Sequence, residues 1–332
     1  MLLDLYGKYR HKLCCIVYGI YVYIGIYNFC YKMNFHFRGL IAPVFTPFKK
    51  NMEINLDIID NYSQFLLRSG IKGVLVNGTT GEGPSLSKEE RKIVAEKWKV
   101  SVSSTNQHLM VQVGGAPLPD VIDLAKHAEQ IGVDSLLCLP ELYFKPKSIE
   151  ELIHYLKVIG SSAPNTPLLY YHIPSFSNVH LNMKHLMKAI VDVVPTFCGI
   201  KFTSTCLDEG HSAHQVYDGN YPVFLGADNV LAGAFTLGFD SAIATTLNIL
   251  PQLSIDILNA INISDLKKAR DRQEKLNTII EIITQNGDWV PTMKCAMNLL
   301  TPINVGEVRN PLSNLEQNHV EEMQKKLVLL DV

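Results

Sequence analysis

The chain has 332 residues, 47% of them hydrophobic and 19% charged, enough apolar material for a large buried core and too much for a disordered protein. Thirty basic residues against thirty-two acidic ones leave a formal charge of −2, so bulk electrostatics give no field for gripping a nucleic-acid backbone. The seven cysteines (Cys14, Cys15, Cys30, Cys138, Cys198, Cys206 and Cys295) are odd in number and contain no Cys-x-x-Cys, which argues against a disulfide framework or a zinc site and for free buried thiols in a reducing compartment.

The first element is anomalous. From Leu13 to Tyr31 nineteen residues run without a charge, preceded by Lys8, Arg10 and Lys12 and closed by Lys32. That length suffices for a membrane span or signal anchor, yet five tyrosines are spread through it where a spanning helix keeps them at its ends. Residues 1–34 are therefore read either as an anchor or as an upstream segment absent from the working protein, with Met33 as a second candidate start. The second reading is preferred, in part because Asn77-Gly-Thr79 is a glycosylation sequon inside the candidate active-site loop, as Asn61-Tyr-Ser63 and Asn262-Ile-Ser264 are elsewhere. The protein is accordingly expected in the cytoplasm, with membrane anchoring through residues 13–31 as the alternative.

Residues 35–332 read as one domain in which strands and helices alternate. A strand is expected over Leu40–Phe45, then an amphipathic helix from Asn55 to Arg68 with Ile58, Ile59, Tyr62, Phe65 and Leu66 on one face and Gly70 after it. The second strand is Gly73–Val76. Ser87-Lys-Glu-Glu90 is a capping box opening a helix that is expected to bury Ile93, Val94 and Trp98. Strands follow over Met110–Val113 and Ser135–Leu139. Ser148 and Glu151 cap a helix with Leu152, Ile153, Leu156 and Ile159 inside and Gly160 as its stop. The remaining strands are Leu168–Ile173, Gly199–Phe202, Val223–Leu225 and Ala242–Thr245. Asp265–Gln285 and Met293–Leu300 read as added helices. The strands are continuous and apolar, as parallel strands buried on both faces must be. Eight such repeats predict a closed (β/α)8 TIM barrel with a C-terminal helical extension. An open doubly wound sheet would want a Gly-x-Gly-x-x-Gly turn after its first strand, and Thr46-Pro-Phe-Lys-Lys-Asn is not one.

In a barrel the working groups lie at the C-terminal strand ends. After the second strand, Asn77-Gly-Thr79-Thr80-Gly-Glu-Gly83 offers two hydroxyls and turn amides that could bind a small carboxylate or phosphate, although a plain tight turn explains it equally well. The fifth strand carries Tyr170-Tyr171-His172-Ile-Pro174, and alternation turns only one tyrosine inward, where it could move protons; His172 reads as structural. The sixth strand is the informative one. Lys201 in Cys198-Gly-Ile-Lys-Phe-Thr203 has apolar neighbours on both sides, and burial disfavours its ammonium form, so a nucleophilic, Schiff-base lysine is preferred over a solvated one. Gly226-Ala-Asp228-Asn229 and Ala244-Thr245-Thr-Leu247-Asn248 add partners suited to a polyol.

Taken together and in order, Gly-Thr79-Thr80-Gly-Glu, Tyr171-x-Ile-Pro and Gly-x-Lys201 resemble the pyruvate-dependent class I aldolases of the N-acetylneuraminate lyase and dihydrodipicolinate synthase group, and most closely the animal N-acetylneuraminate lyases. The similarity runs from about Phe35 to the end. It implies retro-aldol cleavage of N-acetylneuraminate to N-acetylmannosamine and pyruvate. Lys201 would form the imine, Tyr171 relay protons, Thr79 and Thr80 hold the carboxylate, and Thr203, Gly226, Asp228, Asn229 and Thr245 contact the sugar tail. It implies no metal or organic cofactor, a sugar acid and pyruvate as the small-molecule partners, and a homotetramer. Three departures stand out: Asn229 where the group usually has Glu, Leu247 where it usually has Tyr, and a longer Pro140–Pro146 loop bearing Tyr143. The alternatives are an aldolase acting on another 2-keto-3-deoxy acid and a non-catalytic, membrane-tethered barrel. A dicarboxylate-type synthase is less favoured, for want of an arginine to hold a second carboxylate.

Overall fold

The strands expected from apolar runs form a closed parallel barrel: β1 Leu40–Pro43, β2 Gly73–Val76, β3 His108–Gln112, β4 Ser135–Cys138, β5 Leu168–His172, β6 Phe197–Phe202, β7 Val223–Leu225 and β8 Ala242–Ile243. They pair in sequence order, and β8 returns to β1 with Leu40 opposite Ala242 and Ile41 opposite Ile243. The structure, a computed structural model, describes Met33 and residues 35–330, all within the unit Lys32–Val332; the apolar segment Leu13–Tyr31, with Cys14, Cys15 and Cys30, lies outside the described residues. Among the described residues no helix is long and apolar enough to cross a membrane.

Each strand feeds two cores. Inward side chains, among them Ile41, Leu75, Met110, Leu169 and Phe224, fill the barrel, and outward ones such as Val74, Leu136, Ile200 and Phe202 pack under the helices. Phe35 and Phe37 cover the N-terminal end, with ring centroids 5.5 and 4.5 Å from that of His108. A cavity in the barrel must therefore open at the C-terminal ends of the strands.

Strand β6 contains the irregularity that matters for function. Leu168 pairs with Phe197, but Leu169 pairs with Gly199, so Cys198 is one residue too many. This is a bulge, and it resets the alternation of everything after it. Phe197 faces outward and Cys198 inward; strict alternation with Cys198 kept in the ladder would put Lys201 on the face of Phe197, as it would be without the bulge. With it, Lys201 pairs with Tyr171 and both point into the barrel.

Several local expectations are corrected. The helix Lys88–Thr105 keeps its capping box, with Ser87 and Glu90 bonded reciprocally, but Ile93 is 42% exposed. Its buried stripe is Arg91, Val94, Ala95, Trp98, Ser101, Val102 and Thr105, so Arg91 takes the inward place one turn before Val94 and Ile93 falls off the stripe. Gly160 is no stop: the helix Ile149–Ser162 runs through it, and a Cβ there would lie 2.3 Å from Thr196 Oγ1, so the glycine permits close packing. At that helix's start Ser148 does accept the Glu151 amide, but the Glu151 carboxylate accepts from Lys147, not Ser148. Cys206 is exposed and Cys295 half-buried, whereas Cys138 and Cys198 are buried as expected. Strand β8 ends at Ile243, and Thr245–Asn248 forms a turn of 3-10 helix. The extension holds Leu266–Thr284 as expected; its next helix starts at Trp289 instead of Met293, and Pro251–Asn262 and Gln317–Val328 are further helices the sequence pattern did not single out.

Candidate active site

The loop after β2 is wound on itself. Gly83 donates its amide to the Gly78 carbonyl (3.1 Å) and Glu82 to that of Thr79 (3.0 Å). Asn77 and Glu82 adopt φ of 60° and 55°, and a Cβ on Gly83 would meet the Asn77 carbonyl oxygen at 2.0 Å, so glycine is required there. This winding turns the Thr79 and Thr80 side chains toward the barrel mouth. Among the described residues their amides donate to no protein acceptor, which leaves an anion-binding concavity beside the two hydroxyls.

Tyr171 is the inward tyrosine of β5, buried against the barrel interior, and its hydroxyl lies 3.1 Å from Thr79 Oγ1. Tyr170 faces the helices, where burial pushes its phenol up from the usual range. His172 is structural, as expected: its ring stacks on Phe202 (centroids 5.3 Å apart, 15° between planes), and burial lowers its pKa to about 4. Lys201 is 4% exposed, with its Nζ 4.2 Å from the Tyr171 ring centroid. Among the described residues it has no ion-pair partner. Thr203 follows on the same strand end, and its buried hydroxyl has no partner among the described residues. Gly226 is a glycine because Thr203 leans on it: a Cβ there would lie 2.0 Å from Thr203 Oγ1.

Asp228 is buried, and one carboxylate oxygen accepts the Thr246 amide at 2.8 Å. Burial pushes its carboxyl above the usual range, while hydrogen bonds from Thr246 and the Thr245 amide and the charge of Lys201 pull the other way. Thr245 Oγ1 lies 2.9 Å from Thr80 Oγ1 and accepts the Trp289 indole N–H at 3.1 Å. Asn229 is exposed on the rim.

One cavity of about 380 Å3 gathers Thr79, Thr80, Tyr171, Lys201, Thr203, Gly226, Asp228, Asn229 and Thr245, the residues given a catalytic or substrate-binding role from the sequence. No arginine lines it. Sequence reasoning missed Ser175, Phe176, Ser204, Thr205 and Trp289 in its wall. The first four directly follow recognised motifs and could have been reached by extending them; Trp289 lies before the expected helix start and gave no signal. Leu247 does not line the cavity but belongs to the outer core, and Tyr143 is exposed in the Pro140–Pro146 loop. Among the described residues no cluster of three or more His, Cys, Asp or Glu could hold a metal ion.

The site is thus a dry amine over a phenol, flanked on one side by an anion cradle and on the other by a hydrogen-bonding rim. A model of the dihydrodipicolinate synthetase family matches residues 36–329. The N-acetylneuraminate lyase of Mus musculus is 34% identical over 296 residues, which cover 89% of this chain and 92% of that one. The solved N-acetylneuraminate lyase of Proteus mirabilis is 31% identical with a TM-score of 0.84, over 88% of this chain and 98% of that one. A prophage protein of E. coli K12 from the dihydrodipicolinic acid synthase family, solved in complex with pyruvate, is 26% identical with a TM-score of 0.81, over 89% of this chain and 99% of that one.

Proposed function

The chain belongs to the dihydrodipicolinate synthetase family, and from that premise we propose that it is a class I aldolase, a carbon–carbon lyase that cleaves N-acetylneuraminate to N-acetylmannosamine and pyruvate, with residues 35–332 as its catalytic domain. The observation that carries this reading is Lys201, an amine held inside the barrel above the Tyr171 ring, 4.2 Å from its centroid, and free of any ion pair among the described residues.

The amine of Lys201 attacks the keto carbon of the open-chain sugar acid, and loss of water from the carbinolamine leaves a protonated imine. As the bond between the third and fourth carbons breaks, its electron pair flows into the imine to give an enamine. The hydroxyl on the fourth carbon loses its proton and becomes the aldehyde of N-acetylmannosamine. The enamine is then protonated at the third carbon, and water hydrolyses the resulting imine, releasing pyruvate and the free lysine. The imine is the electron sink, so no step draws on a metal or an organic cofactor. Tyr171, bonded to Thr79 beside the carboxylate cradle, is suited to carry the proton between the sugar hydroxyl and the substrate. The hydroxyls of Thr79 and Thr80 receive the carboxylate, which keeps the keto group over Lys201. Thr203, Gly226, Asp228, Asn229 and Thr245 meet the hydroxylated tail. The unsatisfied Thr203 hydroxyl supports a polar ligand at that place.

We place this activity in the cytoplasm. Asn77, the sequon residue of the cradle loop, is 1% exposed and donates its side-chain amide to the Arg91 carbonyl, so the folded loop has no room for a glycan. The assembly is taken as a homotetramer, to be checked by light scattering.

Incubating the protein with pyruvate and borohydride and then weighing it tests the reaction class. A single reduced three-carbon adduct on Lys201 is expected; no adduct, or one on another residue, overturns it. Release of pyruvate from N-acetylneuraminate, compared with release from other 2-keto-3-deoxy acids, then tests the substrate.

A further inference from the structure

The cradle loop is gripped from outside the barrel by a single helix, Trp289–Leu300, at two points. At its start, Trp289 gives its indole N–H to Thr245 Oγ1, and Thr245 in turn shares a hydrogen bond with Thr80 Oγ1. Further along, Lys294 donates to Glu82 Oε1 at 2.7 Å and to the Thr46 carbonyl at 2.8 Å, while the Arg309 amide donates to Glu82 Oε2 at 2.8 Å. Glu82 points away from the cavity, so this buried pair fixes the loop backbone from behind.

The hydrogen atoms of the first grip have one consistent arrangement when a carboxylate is bound. A carboxylate only accepts, so Thr80 must turn its single hydrogen toward it. Thr80 then accepts from Thr245, which uses the only hydrogen Thr245 has. Thr245 can meet a further neighbour only as an acceptor, and an indole N–H is a donor with no lone pair to compete for that hydrogen. We propose that Trp289 is a positioning residue for the reaction: its N–H sets the direction of the Trp289–Thr245–Thr80 relay, so that the Thr80 hydrogen faces the substrate carboxylate on a loop held in place by Lys294 and Glu82. The inference rests on the reading that Thr80 meets that carboxylate.

The substitution Trp289→Phe keeps an aromatic ring in the wall and deletes the donor. In borohydride trapping at Lys201, the half-saturating pyruvate concentration of Trp289→Phe is expected to rise roughly tenfold, the weight of one hydrogen bond to a charged group, with the maximal trapping rate unchanged. In a Thr80→Val background the same substitution should change half-saturation by no more than about twofold, because the relay then has no end to act on. An unchanged half-saturation in the otherwise native protein overturns the proposal. So does a tenfold loss that persists in the Thr80→Val background, since it would assign Trp289 a direct role in shaping the cavity. A loss of maximal rate in step with melting temperature, with no shift in half-saturation, overturns it as well. If pyruvate is not trapped by the native protein at all, the aldolase reading fails and this inference falls with it; trapping without sensitivity at position 289 defeats this inference alone.

Discussion

Two lysines, Lys201 and Lys294, lie in the interior of this protein, and their surroundings are opposites. Lys294 is 1% exposed and saturated: Glu82 and the Thr46 carbonyl take two of its hydrogens, and its Nζ lies 4.3 Å from the Phe48 ring centroid. Lys201 is nearly as deeply buried but, among the described residues, has no ion-pair partner; its nitrogen lies over the face of Tyr171 and acts through space on Asp228. Burial pulls Lys294 down to about 8, yet its nitrogen is occupied and its pairing with Glu82 opposes the fall. Burial alone therefore does not make a nucleophile; an amine that is buried and left unpaired is the one available to a ketone.

Replacing each lysine with methionine should separate the two roles. Lys201→Met is expected to lower kcat by at least roughly 10,000-fold, as losing a covalent nucleophile does, while the melting temperature stays close to that of the native protein because no partner charge is stranded. Residual cleavage above that level would move the chemistry off Lys201. Lys294→Met should do the reverse: it strands Glu82 inside the protein and is expected to cost about 3–5 kcal/mol in denaturant unfolding. A native-like unfolding midpoint for Lys294→Met would show that the pair is not what secures the loop.

A third prediction concerns a buried histidine. Burial lowers the pKa of His172 from its ordinary 6.5 to about 4, so the unfolded chain binds more protons than the native one between those two values. Stability should be complete above about pH 6.5 and decline as the pH falls toward 4, by about 1–3 kcal/mol, and His172→Phe should flatten that slope. Equal slopes in the two proteins would assign the acid sensitivity to other groups. The smallest effect is expected at the rim. Asn229→Glu should lower KM for N-acetylneuraminate by a few-fold, roughly the value of one exposed charge-assisted contact, and leave kcat unchanged. An unchanged or raised KM would remove position 229 from sugar binding.

The barrel was legible because its strands are short continuous apolar runs set between helical patterns, as a parallel sheet covered on both faces produces. Lys201 was legible for the same reason, as a charge that such a run does not otherwise tolerate. The threonines, Asp228 and Thr245 were individually ordinary and gained meaning only as an ordered set at strand ends. What the pattern missed were cases where tertiary packing overrides local preference. Arg91 takes a core-facing place and gives its guanidinium to the Gln112 carbonyl at 2.7 Å, leaving Ile93 outside. Gly160 serves a neighbour that touches it and not the end of its own helix. Trp289 escaped because Pro291 sits in the first turn of its helix, a tolerated place that reads in sequence as an interruption. The last helix, Gln317–Val328, buries only Met323 and Leu327 and is otherwise largely polar, so its apolar stripe is too narrow to stand out.

The bulge at Cys198 also says something about how this barrel can vary. The side chain at that place is not used in the chemistry, and with it left out Phe197, Gly199, Ile200 and Lys201 alternate as a plain ladder, outward and inward in turn. Losing it would therefore straighten the stave and keep the reactive nitrogen inside the tube. The bulge is slack: this stave carries one residue more than its ladder uses, so a shortening by one is absorbed there without turning the lysine out.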